Sequence, residues 1–194
     1  MGLTLANVLT IMRMAMIPFF IMAVGYNRNG WALFLFIAAG VTDLLDGLIA
    51  RGWRQQTRVG AILDPMADKL LLTAAFVMLA LPQGTKAFPE LVNLNRVPIY
   101  LVIITISRDV FISLISMVMY MTLGQTNFPP SFLGKLTTTV QIVTVAIILL
   151  LNWLGSESFL MVTCLVWTNL AMTLTSGFHY IYLTARLANR DARN

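Results

Sequence analysis

An all-α integral membrane protein, with six transmembrane helices in a single domain over residues 1–194, is the fold class this sequence predicts. Hydrophobic residues make up 58% of the chain and charged residues only 11%, and the mean hydropathy is +0.81. A soluble domain carries about 25% charged residues. Six apolar stretches recur along the chain, each long enough to cross about 30 Å of hydrocarbon at about 1.5 Å per residue. The breaks between them are short and polar, which leaves no room for a second soluble domain.

The first span is placed at 8–26 and ends where Asn27 to Gly30 interrupts the apolar run. The N-terminus lacks a charged n-region and a small-residue cleavage site, so this span is expected to be retained. The second, 30–50, runs into the basic stretch Arg51 to Arg58. The third, 62–82, is closed by "LPQGTKAFPE", and the fourth, 97–121, by "GQTNFPPS". The fifth, 133–154, stops at "LGSES", and the sixth, 159–184, leads into a basic tail. Gly, Pro, Asn and Ser in these breaks are the expected punctuation.

Basic residues set the orientation. Arg51, Arg54, Arg58, Lys135, Arg186, Arg190 and Arg193 fall on one side, and Arg28, Lys86 and Arg96 on the other. The excess of Lys and Arg on the cytoplasmic side of membrane proteins predicts both termini inside. Trp31, Trp53 and Trp153 lie at segment ends, where an amphipathic ring suits the bilayer interface. The net charge of +5 is accounted for by headgroup contact and topology, so no nucleic-acid partner is expected. Cys164 is the single cysteine and cannot form an internal disulfide; it is expected as a small buried thiol in the sixth span.

Four aspartates break the apolar pattern: Asp43 and Asp46 near the end of the second span, Asp64 and Asp68 at the start of the third. Spacings of i,i+3 and i,i+4 put each pair on one helix face, so two facing helices could gather four carboxylates. An ionisable group at membrane depth costs roughly 2.5–3.5 kcal/mol even on the lenient insertion scale. Divalent cations would compensate it. An all-carboxylate donor set suits Mg²⁺, Mn²⁺ or Ca²⁺ and argues against Zn²⁺. Taken singly, each aspartate could instead be a cap or interface residue; Asp64 before Pro65 reads as a helix start.

The residues among them make the pattern specific. Gly47 and Ala50 lack bulk and would let a ligand approach the backbone. Arg51 can fork onto a phosphate, and Gly60 would open the facing helix. The whole string, Asp43, Asp46, Gly47, Ala50, Arg51, Gly60, Asp64 and Asp68, is D-x2-D-G-x2-A-R-x8-G-x3-D-x3-D. With each residue type used at roughly 5–9%, a chance match is on the order of 10⁻⁷.

This string resembles the signature of the CDP-alcohol phosphatidyltransferases (CDP-alcohol phosphotransferases), without gap or substitution. The resemblance implies six transmembrane helices in a homodimer, integral to the cell (inner) membrane with the active site cytoplasmic. It implies two divalent cations, Mg²⁺ or Mn²⁺, on Asp43, Asp46, Asp64 and Asp68, with Asp68 also the general base. Gly47, Ala50, Arg51 and Gly60 would bind the donor nucleotide. The reaction implied moves a phosphatidyl group from CDP-diacylglycerol to an alcohol and releases CMP.

Weaker stretches bear on the acceptor. "LANVLTIMR" resembles the P-N-x-L-T-x-x-R opening of the bacterial phosphatidylglycerophosphate synthase branch, with Ala6 in place of proline. On that resemblance Asn7, Thr10 and Arg13 line the nucleotide or acceptor pocket; N-capping and headgroup contact account for them equally well. "ISRDV" puts Arg108 and Asp109 inside the fourth span, and Lys135 lies in a stretch resembling G-K-x-x-T-x-x-Q of the same branch. Arg108 and Lys135 together would suit an acceptor phosphate, although a structural salt bridge would also explain Arg108 and Asp109. The favoured acceptor is glycerol 3-phosphate. Ser107, Arg108 and Asp109 are closer to eukaryotic-type cardiolipin synthases, for which the acceptor is phosphatidylglycerol. His179 reads as an interfacial residue. From a different class, a cation-binding transporter would carry carboxylates along a path, whereas here they gather at one membrane edge.

Overall fold

A computed structural model describes residues 5–53, 60–123 and 132–191, and within them the side chains of 8–43, 67, 69–115, 117 and 132–184. The described elements are helices: α1 (Leu5–Gly25), α2 (Asn29–Trp53), α3 (Gly60–Ala80), α4 (Ile99–Leu123), α5 (Phe132–Leu154) and α6 (Phe159–Asp191). Each falls on one of the six segments expected from sequence, with ends shifted by a few residues. The exception is α6, which runs on past 184 to Asp191. Among the described residues, three stretches are long and apolar enough to cross a membrane: Val8–Gly25, Phe132–Leu154 and Phe159–Thr184. The described side chains of α2 stop at Asp43, and α4 carries Arg108 and Asp109 along its length.

The chain packs as two compact units, Met1–Arg96 with Val145–Phe159, and Val97–Thr144 with Leu160–Asn194. In the first, α1 packs on α2 and α3. Phe20 and Phe36 meet at 6.1 Å between ring centroids, and Ala32, Ala39, Ala67 and Ala75 are fully buried. Small residues of this kind let membrane helices approach closely, and it is that contact, not water exclusion, that holds helices together in lipid. α1 ends in a Schellman turn: Asn27 takes φ 56°, its N–H donates to Val24 O at 3.0 Å, and the Arg28 N–H donates to Ala23 O at 2.7 Å. Asn is one of the few residues that adopts this left-handed geometry at low cost. Gly155 closes α5 in the same way, at φ 65°.

Segment 81–98 is more than a polar connection. Asn95 and Asn152 clamp each other: Asn152 Oδ1 accepts from the Asn95 N–H at 2.8 Å and from its Nδ2 at 3.1 Å, while Asn152 Nδ2 donates to Asn95 O at 3.3 Å. Asn95 Nδ2 also donates to Ser156 O at 2.8 Å, and Asn93 Nδ2 to Met78 O at 3.0 Å. Buried backbone groups that no helix ladder can serve are satisfied in this way.

The second unit has a polar interior. Thr137, Gln141 and Thr144 on α5, and Asn169, Thr173, Ser176 and Thr184 on α6, are buried at helical spacing. Asn169 Nδ2 donates to Thr144 Oγ1 at 2.7 Å, and Thr137 Oγ1 to Met172 O at 3.1 Å. The inward face of α6 passes through Val162, Val166, Asn169, Thr173 and Ser176, so Cys164 is turned outward and is exposed. This corrects the expectation of a buried thiol.

Candidate active site

The string from Asp43 to Asp68 lies on two helices. α2 runs unbroken through Asp43, Asp46, Gly47, Ala50 and Arg51, and α3 carries Gly60, Asp64 and Asp68. Helix continuity gives the i,i+3 pair a separation of roughly 60° around the axis and the i,i+4 pair roughly 40°. α3 begins at Gly60, so Asp64 and Pro65 sit inside the helix and the capping reading of Asp64 is set aside. The side chains of Asp46, Gly47, Ala50, Arg51, Gly60, Asp64 and Asp68, and that of Asn7, lie outside the described residues.

Asp43 is the one member of the string whose side chain is described, and it has a cationic partner. Arg13 Nη1 stands 3.0 Å from Asp43 Oδ1, with Arg13 1% exposed and Asp43 38% exposed. Thr10, one turn earlier on α1, is fully buried. α1 therefore presents Thr10 and Arg13 on one face and delivers a guanidinium to the acidic end of α2. A buried guanidinium at this distance attracts the Asp43 carboxylate and restrains its position. Among the described residues no group of three or more His, Cys, Asp or Glu forms a metal cluster.

Arg108 is 12% exposed and is held on two sides. Its Nη1 donates to Asp109 Oδ1 at 2.7 Å, and its Nη2 donates to Ser176 Oγ on α6. Its Nε is buried and meets no acceptor among the described residues. The Arg108–Asp109 salt bridge considered from sequence is thus present. The guanidinium borders a cavity of about 320 Å³ lined by Ser107, Phe111, Thr173, Gly177 and Phe178. Lys135 is exposed in the first turn of α5, and His179 is exposed on α6. Ser176 was not singled out in the sequence. The signal that would have found it is the polar spacing Asn169, Thr173, Ser176 on an otherwise apolar helix.

Six helices, three of them with stretches long and apolar enough to cross a membrane, and an acidic string carried on one helix pair define a helical membrane protein. The model of the family described as CDP-alcohol phosphatidyltransferase matches residues 3–178, and the chain belongs to that family. It is 32% identical over 200 residues to a CDP-diacylglycerol–glycerol-3-phosphate 3-phosphatidyltransferase of Sodalis glossinidius, covering 94% of this chain and 95% of that one. It is 38% identical over 136 residues to the enzyme of the same name from Haemophilus influenzae, covering 69% and 68%. A human cardiolipin synthase (CMP-forming) is 31% identical over 196 residues, covering 91% of this chain and 61% of that protein.

Proposed function

We propose that this protein is a membrane phosphatidyltransferase of phospholipid biosynthesis. It moves the phosphatidyl group of CDP-diacylglycerol to glycerol 3-phosphate and releases CMP. The single observation that carries the reading is the uninterrupted acidic string on α2 and α3, in a chain whose family match spans residues 3–178. The acceptor hydroxyl oxygen attacks the phosphatidyl phosphorus, the P–O bond to CMP breaks, and CMP leaves with the electron pair. Asp68 takes the hydroxyl proton. Arg51 forks onto the donor pyrophosphate, with Gly47, Ala50 and Gly60 leaving room for the nucleotide and Asn7 and Thr10 bordering it. Arg13 orients Asp43. Arg108 and Lys135 bind the acceptor phosphate, with Ser176 fixing the Arg108 guanidinium.

The family is generally divalent-cation dependent. The donor set of Asp43, Asp46, Asp64 and Asp68 is all hard oxygen, which fits Mg²⁺ or Mn²⁺. Two such ions held there would neutralise the pyrophosphate charge as the bond to CMP breaks.

In this reading the six helices all span the bilayer as one domain over 1–194. The chain forms a homodimer in the cell (inner) membrane, with both termini and the active site cytoplasmic, as the bias of basic residues supports. The Ser107, Arg108, Asp109 run and the 31% identity to a cardiolipin synthase favour phosphatidylglycerol as a second candidate acceptor. Product analysis by mass spectrometry, with glycerol 3-phosphate and phosphatidylglycerol offered together, tests the choice. Phosphatidylglycerophosphate as the product supports the reading, and cardiolipin as the sole product replaces the acceptor.

A further inference from the structure

At the far end of α2 from the aspartates lies a second cavity, of about 640 Å³, lined by Asn27, Arg28, Asn29, Gly30, Trp31, Phe34 and Trp153. Its volume is in the range of small-molecule pockets, about 300–1,000 Å³. Asn29 and Asp43 stand on the same continuous helix, so the cavity is roughly 20 Å from the acidic string at about 1.5 Å per residue. In the reading proposed above it lies at the other membrane face, away from the site of transfer.

Four features give this cavity the chemistry of a site. Arg28 is exposed beside it, and among the described residues it makes no ion pair. The Arg28 carbonyl accepts from the Ala32 N–H at 3.0 Å, so α2 starts here and the N–H groups of Asn29, Gly30 and Trp31 are the orphan donors of a helix N-terminus, which favour an anion.

The third feature is Asn29 itself. It is 6% exposed, its Nδ2 is committed to Asn27 Oδ1 at 3.0 Å, and its Oδ1 is buried without a donor among the described residues. An acceptor in that state costs about 1–3 kcal/mol unless a donor reaches it. The fourth is the wall. Trp31, Phe34 and Trp153 are large and mostly exposed, and Gly30 has no side chain because the Trp153 indole occupies its place: a Cβ there would stand 2.7 Å from the indole Nε1.

We infer that this cavity binds the headgroup of one phospholipid whose phosphate is joined to a hydrogen-bond donor, as in a glycerol or ethanolamine headgroup. The phosphate lies between the Arg28 guanidinium and the α2 N-terminus. The headgroup O–H or N–H donates to Asn29 Oδ1. The first methylenes run along Phe34, between two tryptophans at the level where aromatic rings gather in membranes. A choline headgroup supplies the phosphate and no donor, so it satisfies one half of the site and leaves Asn29 unmet. A free phosphate ester gains nothing from the aromatic wall.

The test is native mass spectrometry of the full-length protein in detergent, without CDP-diacylglycerol or metal, titrated with phosphatidylglycerol, phosphatidylcholine or glycerol 3-phosphate. Wild type is expected to hold one phosphatidylglycerol per chain in preference to phosphatidylcholine. Arg28→Gln should weaken it about tenfold, the worth of one charge-assisted contact. Arg96→Gln, at another exposed cation, should leave it unchanged. Asn29→Asp keeps the helix start favourable and should also weaken the lipid by repelling the phosphate. Equal binding by wild type and Arg28→Gln overturns the site, as does an equal loss in Arg96→Gln. Displacement by glycerol 3-phosphate at comparable concentration replaces the lipid with a soluble phosphate ester. Because Arg28 is remote from the acidic string, only the binding that Arg28→Gln removes is read as this site, which keeps the outcome independent of lipid or glycerol 3-phosphate held at the acceptor site.

Discussion

Replacing Arg13 by Met removes the guanidinium from Asp43 while keeping most of the buried stem. The two groups are 3.0 Å apart, the arginine 1% and the aspartate 38% exposed. Removing one partner of a fully buried pair costs about 3–5 kcal/mol, and a solvated pair about 0–1 kcal/mol. With one partner buried and the other part-solvated, an intermediate loss of about 1–3 kcal/mol is expected. Expressed in the transition state, that is a fall in kcat/KM of about 5- to 150-fold. The assay is CMP release with varied CDP-diacylglycerol, run beside a thermal melt in the same detergent. Arg13→Lys keeps the charge and loses the fork, so it should recover stability more fully than turnover. Wild-type kcat/KM together with an unchanged melting temperature in Arg13→Met would refute the claim that this pair organises the acidic end of α2.

Three further outcomes are expected. Asp68→Asn should lower turnover by about 10²–10⁴-fold, the range of a general base, while donor binding measured by calorimetry stays within a few-fold; wild-type turnover would remove the base assignment. Asp46→Ala should weaken donor binding in Mg²⁺ or Mn²⁺ and leave the weak binding in EDTA unchanged, and an unaltered metal dependence would count against a ligand role. Asn152→Leu deletes the clamp on Asn95, stranding its backbone N–H and carbonyl while its amide keeps Ser156 O, and should cost about 2–6 kcal/mol at about 1–3 kcal/mol for each group left unsatisfied. A melt read by intrinsic fluorescence should therefore drop by several degrees with kcat at low temperature preserved. An unchanged melt would make the network incidental.

Helix number and placement were legible in the sequence because apolar length is a direct physical requirement of a bilayer. The acidic string was legible for a related reason, since carboxylates at such depth are costly and recur only where something offsets them. The Asn93, Asn95 and Asn152 network was not. It depends on a long-range encounter between segment 81–98 and the end of α5, and nothing local to an asparagine announces its partner. The outward placement of Cys164 was missed because hydropathy does not tell which face of an apolar helix turns inward, and around Cys164 that face is carried by Val162 and Val166. The partner of Asp43 came from α1, thirty residues earlier in the chain. "LANVLTIMR" marked Arg13 as a residue of interest without indicating what it would touch.

The most direct test of the central claim is CMP release by the purified protein in detergent with CDP-diacylglycerol and Mg²⁺ or Mn²⁺, with and without glycerol 3-phosphate, and again in EDTA. The account predicts CMP in one-to-one stoichiometry with phosphatidylglycerophosphate, dependent on both acceptor and metal. No CMP release with either glycerol 3-phosphate or phosphatidylglycerol, from protein that is folded and binds the donor, would contradict it.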